Sequence, residues 1–599
     1  MWEQTCNLLR LCRVPVYNLF FYPTNSVFMG DHKLSRRQFF EKMTVPGAGV
    51  RIEHLPPSPA DHLAKESDSA ALNAEFTLSG GLDPYQGLWT KVQAAHLLRR
   101  TTFGLKKAHL DQMLALGNAA DAVDAILTVP MAVPAPPINN YNNTDYSDPN
   151  VPSGQTWVDA PFDVDAEGFR IESWRGWWLN RMVDADANIQ EKMTLFWHNH
   201  FATQTTSLFR ANPIYKHNQL LRANALGNFK TFVKSVTLNP FMLYYLNGYL
   251  NNVIAPDENY ARELQELFTV GKDSTSTYSE DDVVAAARVL TGWTFDANGD
   301  TVFRSQLHDI GFKVFSPYYN NTVIQGNTNG DAELDALLNM IFLKEDVSLF
   351  VCRKIYRYFV YYKIDAEVEA NVIVPMAQIF RDNNYEIQPV MRALLLSEHF
   401  FDAANKGCQI KNPLDQVVGL LRNYNLSLPG PTLFDQYFIR LSINYFCGAL
   451  QMLPGDPPNV AGWPAYRQVP NYYRIWINSD TIRNRNVISD VMSFVGVDVG
   501  TEKLIIDHVA FAGQFSNPGD PNVLIEDILT ILYPMPISPL KKLFLKSILL
   551  SGQSSDYYWT DAWNAYINNP SNPMVYQTVW FRLASLHKYL MNLAEYQLI

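Results

Sequence analysis

From Leu88 to the C-terminus, apolar residues recur mainly three and four positions apart, the spacing of helices that bury one face. Residues 89–103 carry this pattern, and 108–116 form a short helix stopped by Gly117. Asn118 is placed to cap the next helix, which ends before Pro130. Helical periodicity resumes at 169–184, 187–198, 215–225, 228–237 and 241–247. Ser279 and Asp282 form a capping-box pair ahead of the apolar run 283–290. Further helices are expected at 332–343, 346–363, 366–383, 387–398, 412–424, 434–452, 523–532, 538–551 and 574–597. Pro413 sits in the first turn of its helix. Between 300 and 325 the period changes, and short apolar pieces among turn residues (301–303, 313–315, 322–324) predict a small β insertion. Residues 131–155 and 454–480 lack periodicity, and the first of these reads as a long, mobile surface loop. The fold class that follows is mainly α, a single large multi-helix domain over 85–599, preceded by a leader and linker over 1–84 that is poorly ordered. No fixed repeat of 20–50 residues points to a solenoid.

Composition narrows the class of partner. The 599 residues are 47% hydrophobic and 18% charged, enough apolar material for a substantial core. The net charge of −11, without a basic run, gives no footprint for nucleic acid. No stretch of about 18 apolar residues predicts a transmembrane span. Cys6, Cys12, Cys352, Cys408 and Cys447 form no CxxC pair, and Cys352 and Cys447 lie in apolar helical runs as core residues. No glycine-rich phosphate loop follows a strand, and no GxSxG elbow is present. The aromatics, 13% of the chain, are spread throughout and read as core, with a stacking surface for sugars or aromatic ligands as the lesser reading.

In the leader, Ser35-Arg36-Arg37-Gln38-Phe39-Phe40-Glu41-Lys42 resembles the twin-arginine export consensus, and a start at Met29 would put the arginines in a signal's charged region. The following 43–50 is only weakly apolar for a signal core. The two locations open are therefore the periplasm or cell envelope, reached by twin-arginine export, and the cytoplasm.

Six clusters stand out in order: 95–104 (AHLLRRTTFG), 197–201 (WHNHF), 258–271 (ENYARELQELFTVG), 290–293 (LTGW), His308-Asp309 and 457–464 (PPNVAGWP). As an ordered set they resemble the bacterial family called domain of unknown function 1800, over roughly 88 to 595. The resemblance implies a large helical, often exported protein, and as a partner a protein of the domain of unknown function 1501 family, which looks related to sulfatase-type hydrolases. It implies no reaction.

The clusters hold groups with chemistry. Imidazoles ligate zinc, copper and iron, so His198, His200 and His308 are candidate metal ligands. Glu263, Glu266 and Asp309 are candidate catalytic carboxylates, since Glu263 and Glu266 share one helix face. If these groups converge, they suit a divalent metal ion that activates water or takes part in redox chemistry. The same groups could instead work as a metal-free acid–base pair. The plainer reading is structural: Arg262 and Glu266 pair at i, i+4, and the histidines make core hydrogen bonds. The cluster at 457–464 is read the same way, with Trp463 filling a core gap. The expectation is an exported protein with a central His/Glu site, a hydrolase or oxidoreductase. The alternative is a non-catalytic cell-envelope scaffold or binding protein working with the sulfatase-like partner family, motivated by the aromatic, Asn-rich loops at 138–157 and 454–480.

Overall fold

A computed structural model of the chain describes residues 81–599 other than 131, 273–275 and 297–298, together with the backbone of 26–29 and 32–35. The chain divides into two units, 1–77 and 78–599. In the first, Ser26–Met29 and His32–Ser35 pair as an antiparallel hairpin. The arginines of the export-like motif, Arg36 and Arg37, and most of the expected linker lie outside the described residues.

The second unit is mainly helical, and its helices begin where local capping chemistry places them. Asn118 accepts the Asp121 N–H at 2.9 Å and opens Ala119–Leu127. Ser279 and Asp282 exchange hydrogen bonds in a reciprocal box at the start of Glu280–Val289. Asn412 caps Pro413–Asn423, with the proline in its first turn. The expected helix over 366–383 is continuous but contains a wide turn at Glu369–Ile373, just ahead of Pro375. Proline has no N–H to give the α-ladder, and a wide turn accommodates that gap.

The core is built around Val164–Asp184, which packs on Leu433–Ala449, Pro413–Asn423 and Ala211–Ala223. Gly176 makes the first contact possible, because a Cβ there would lie 2.8 Å from Arg440 Cβ. Arg422 closes the C-terminal end of Val164–Asp184, giving Nη1–H to the carbonyls of Met182, Val183 and Ala185 at 3.1, 3.0 and 2.7 Å. Glu191 ties three helices together, accepting from Arg222 at 2.8 and 2.9 Å and from Trp178 Nε1 at 3.0 Å. Around Pro573–Asn592 pack Ser479–Asp490, His508–Gly513, Pro539–Leu549 and Tyr557–Asn568. Cys352 and Cys447 are buried, as expected.

Several features differ from the sequence expectation. The β insertion is two separate antiparallel pairs, Trp293–Phe295 with Thr301–Phe303 and Lys313–Val314 with Val323–Ile324. A further hairpin, Val497–Val499 with Glu502–Leu504, and the helices Ser479–Asp490, His508–Gly513 and Tyr557–Asn568 were not expected. The stretch 132–155 has no regular structure, yet it is pinned by its own polar groups. Asp148 is buried against Arg170 at 2.9 and 3.1 Å and accepts the Tyr141 hydroxyl at 2.7 Å, and Asn139 gives Nδ2–H to Val151 O at 2.6 Å. Buried polar groups demand partners, so the Asn, Asp and Tyr that read as solvated loop form an internal network.

Candidate functional site

Gln190–His200 ends in the WHNHF cluster, with Phe201 N–H bonded to Trp197 O at 2.7 Å. Successive residues on a helix fan out by about 100°, so the three polar residues of the cluster reach three different points, two in the 454–480 loop and one in the turn at Phe268. His198 Nε2 accepts the Gly455 N–H at 3.2 Å, its ring set edge-on between Trp178 and Trp463. Asn199 Oδ1 accepts the Trp463 N–H at 2.7 Å. His200 Nε2–H donates to Phe268 O at 3.0 Å, which fixes the tautomer and leaves Nδ1 as the acceptor facing Lys354 Nζ at 3.2 Å. Burial pushes His198 down to about 3 and His200 well below the ordinary imidazole range, so both rings are neutral.

The carbonyls that meet this end come from the ELQELF cluster. Asn259–Glu263 continues into a wide turn over Leu264–Thr269, where both Val270 and Gly271 N–H groups bond Gln265 O at 2.9 Å. The last carbonyls of a helix have no partner within it. Leu267 O takes Lys354 Nζ–H at 2.9 Å, and Phe268 O takes His200.

The other expected site residues lie in separate arrangements. His308 has Nδ1 2.8 Å from Thr291 O and Nε2 3.1 Å from Glu333 Oε1, and Glu333 also holds Lys313 Nζ at 2.5 Å. Asp309 is clamped by Arg288 at 2.6 and 3.2 Å. Burial raises the Asp309 carboxyl, and the Arg288 guanidinium with the Gly311 N–H more than offsets it, leaving the acid below its usual range. Glu266 pairs with Lys272 at 3.2 Å, while Arg262 pairs with Glu258 and Glu280 instead of Glu266. Glu263 is half-buried and raised above its ordinary value, first by burial and then by Glu266. The expected convergence of His198, His200 and His308 with Glu263, Glu266 and Asp309 is therefore not what the fold builds. Among the described residues, no three His, Cys, Asp or Glu side chains form a group able to hold a metal ion.

What the fold does build beside His200 is a basic hollow of about 360 Å³, including space open to solvent. Asn199, His200, Lys354, Tyr358, Tyr466 and Arg467 line it, and among the described residues no acidic one does. Lys354 comes from Glu345–Phe359 and is half-buried, with the Phe350 ring centroid 4.5 Å from its nitrogen. Among the described residues it forms no ion pair. Desolvation, then Arg467 and Arg357, push its amine down to about 7. Arg467, exposed at the rim, gives Nη2–H to Asn459 at 3.1 Å. The Tyr358 and Tyr466 rings, with centroids 4.9 Å apart, divide this hollow from a second of about 480 Å³, lined by Arg100, Arg357 and the Lys192–Asp415 ion pair among several tyrosines.

Sequence reasoning found His200 but missed Lys354, Tyr358 and Arg467. The signal present was the i, i+3, i+4 placement of Lys354, Arg357 and Tyr358 on one helix.

Fold and site together define a large, mostly helical protein in which distant segments close around a basic cleft. The model of a family described as "Protein of unknown function (DUF1800)" matches residues 96–598, and the chain belongs to that family. No curated protein and no solved structure matches it.

Proposed function

We propose that the protein recognises an anionic group (a carboxylate, sulfate or phosphate terminus) in the hollow between the WHNHF helix end, the Glu345–Phe359 helix and the 457–467 loop. The observation that carries this reading is the presence of both Lys354 and Arg467 in a hollow with no acidic lining residue among the described residues. Cations in folded proteins are normally compensated when they are withdrawn from water. Here the neutral His200 ring supplies an acceptor but no charge, so the opposite charge is left to a ligand. The two peptide carbonyls of the wide turn hold Lys354 and His200 in place, and Asn199 fixes the loop that carries Arg467. Such preorganisation lowers the ordering cost of binding. This reading is favoured over divalent-ion chemistry because His198, His200, His308, Glu266 and Asp309 are each engaged with a different partner.

Anion binding would favour the ammonium form of Lys354 and raise its pKa, so binding above pH 7 takes up protons. Isothermal titration of sulfate and benzoate at pH 7.5, in buffers of different ionisation enthalpy, tests this. The expected result is saturable binding with net proton uptake, weakened at least fivefold by Arg467→Ser, an exposed position whose loss leaves the core intact. Binding that is absent, or equal in the variant, would remove the reading.

A further inference from the structure

We infer that the Lys354 side chain is an amine nucleophile, and that the ligand of this cleft is a carbonyl compound bearing an anionic group, an aldehyde or ketone acid, with which it forms an imine. The inference rests on the anion-site reading and adds a covalent step to it.

Three geometric facts converge on this lysine. Its nitrogen has two polar acceptors, Leu267 O at 2.9 Å and His200 Nδ1 at 3.2 Å. A neutral amine has two N–H groups, which these acceptors match, and one lone pair left over. Among the described residues no carboxylate is bonded to it, and the apolar Phe350 face lies against it. Lysines are converted to nucleophiles by this combination, desolvation beside other cations. Both nitrogens of His200 are engaged, one as donor to Phe268 O and one as acceptor toward Lys354, so the ring is fixed as the neighbour of the amine.

The step balances without an oxidant or reductant. The Lys354 lone pair forms a bond to the carbonyl carbon as the C=O π pair moves onto oxygen. One amine proton passes by way of His200 Nδ1 to that oxygen, giving a carbinolamine. Loss of the hydroxyl with the second amine proton releases water and leaves the C=N bond. Arg467 pairs with the anionic end of the same molecule, and Asn199 offers a neutral amide at the wall.

The experiment traps that bond in the full chain. The protein is incubated at pH 7.0 with 4-formylbenzoate and sodium cyanoborohydride, digested, and mapped by mass spectrometry. Benzaldehyde serves as the uncharged control and the exposed Lys272 as the internal reference. An amine titrating near 7 has roughly a thousandfold more free base at pH 7 than an ordinary lysine, partly offset by its lower intrinsic nucleophilicity. The expected result is modification of Lys354 at least tenfold faster than Lys272, slowed by excess benzoate and reduced at least fivefold in Arg467→Ser. Labelling of Lys354 no faster than Lys272 overturns the inference, and this needs no variant that could fail to fold. If benzoate still binds in that case, the anion site stands and only the covalent step fails. Equal labelling of Lys354 by benzaldehyde and 4-formylbenzoate overturns the anionic-carbonyl assignment together with the anion-site reading.

Discussion

Lowering the pH from 7.5 to 5.5 is expected to remove much of this protein's stability, and the size of the loss follows from its buried histidines. His96, His198, His200, His217, His508 and His587 are between 0 and 4% exposed. Desolvation holds His198 down to about 3 and His217 and His508 to about 4, and it pushes His96, His200 and His587 well below the ordinary range. In an unfolded chain each imidazole titrates near 6.5. Between that value and about 4, the unfolded state therefore binds protons that the native state does not, and stability falls as pH falls. A ring kept neutral in the fold costs about 1.4 kcal/mol at pH 5.5. His508 and His587 share one hydrogen bond, Nδ1 to Nδ1 at 2.7 Å, and count as one group. The remaining independent groups then amount to about 7 kcal/mol as an upper bound, comparable with the whole stability of a typical domain. Urea unfolding followed by tryptophan fluorescence at pH 7.5, 6.5 and 5.5 measures the loss, and potentiometry counts the protons taken up on unfolding. A falling midpoint with several protons absorbed at pH 5.5 is expected. An unchanged midpoint, or uptake of fewer than two protons, would refute the reasoning.

Other consequences can be checked separately. Asp148→Asn keeps the shape of the 132–155 network but leaves Arg170 buried with Glu167 as its one acidic partner among the described residues, and should cost about 3 kcal/mol in urea unfolding while exposing the loop to limited proteolysis. Burial raises the Asp148 acid, and Arg170, Tyr141 and the Asn150 N–H together hold it below its ordinary value. The stability this acid contributes is therefore complete above about pH 4 and is lost as pH falls below that. Gly462→Ala should unseat the loop from the helix end, because the residue has φ +79° and a Cβ would lie 2.3 Å from Asn199 O. The expected signs are faster proteolysis at 455–467 and loss of sulfate binding at a tryptophan fluorescence maximum shifted to the red. His308→Ala should cost about 2 kcal/mol by leaving buried Glu333 with only Lys313 and the Asn327 N–H among its described partners, without changing sulfate affinity.

Much of the fold was legible because helix boundaries are written locally. Asn118, Ser279 and Pro413 act within one turn of their own positions, and each element began where it was expected. The helix Tyr557–Asn568 escaped because it buries only Trp559 and Trp563, a single i, i+4 pair too short to register as a periodic pattern among Asn, Thr and Asp. The short hairpin around Gly500 offers only three residues per strand, too few for an alternation to register. The site was legible in its ingredients and not in its assembly. The WHNHF cluster marked the right place, but the partners that give its residues their roles, Gly455, Trp463 and Phe268, lie far along the chain. Lys354 has no sequence signature apart from its helix face. It is set apart only by the loss of water and the nearness of two guanidiniums, both products of tertiary packing.

The anion-site account is tested most directly by selenate, a tetrahedral dianion whose selenium scatters anomalously. In crystals of the native-methionine protein soaked with selenate, the account predicts an anomalous peak within hydrogen-bonding reach of Lys354 Nζ and the Arg467 guanidinium. It also predicts that the peak vanishes in Arg467→Ser crystals. An empty hollow at saturating selenate, or a Lys354 found paired with a carboxylate, would contradict it.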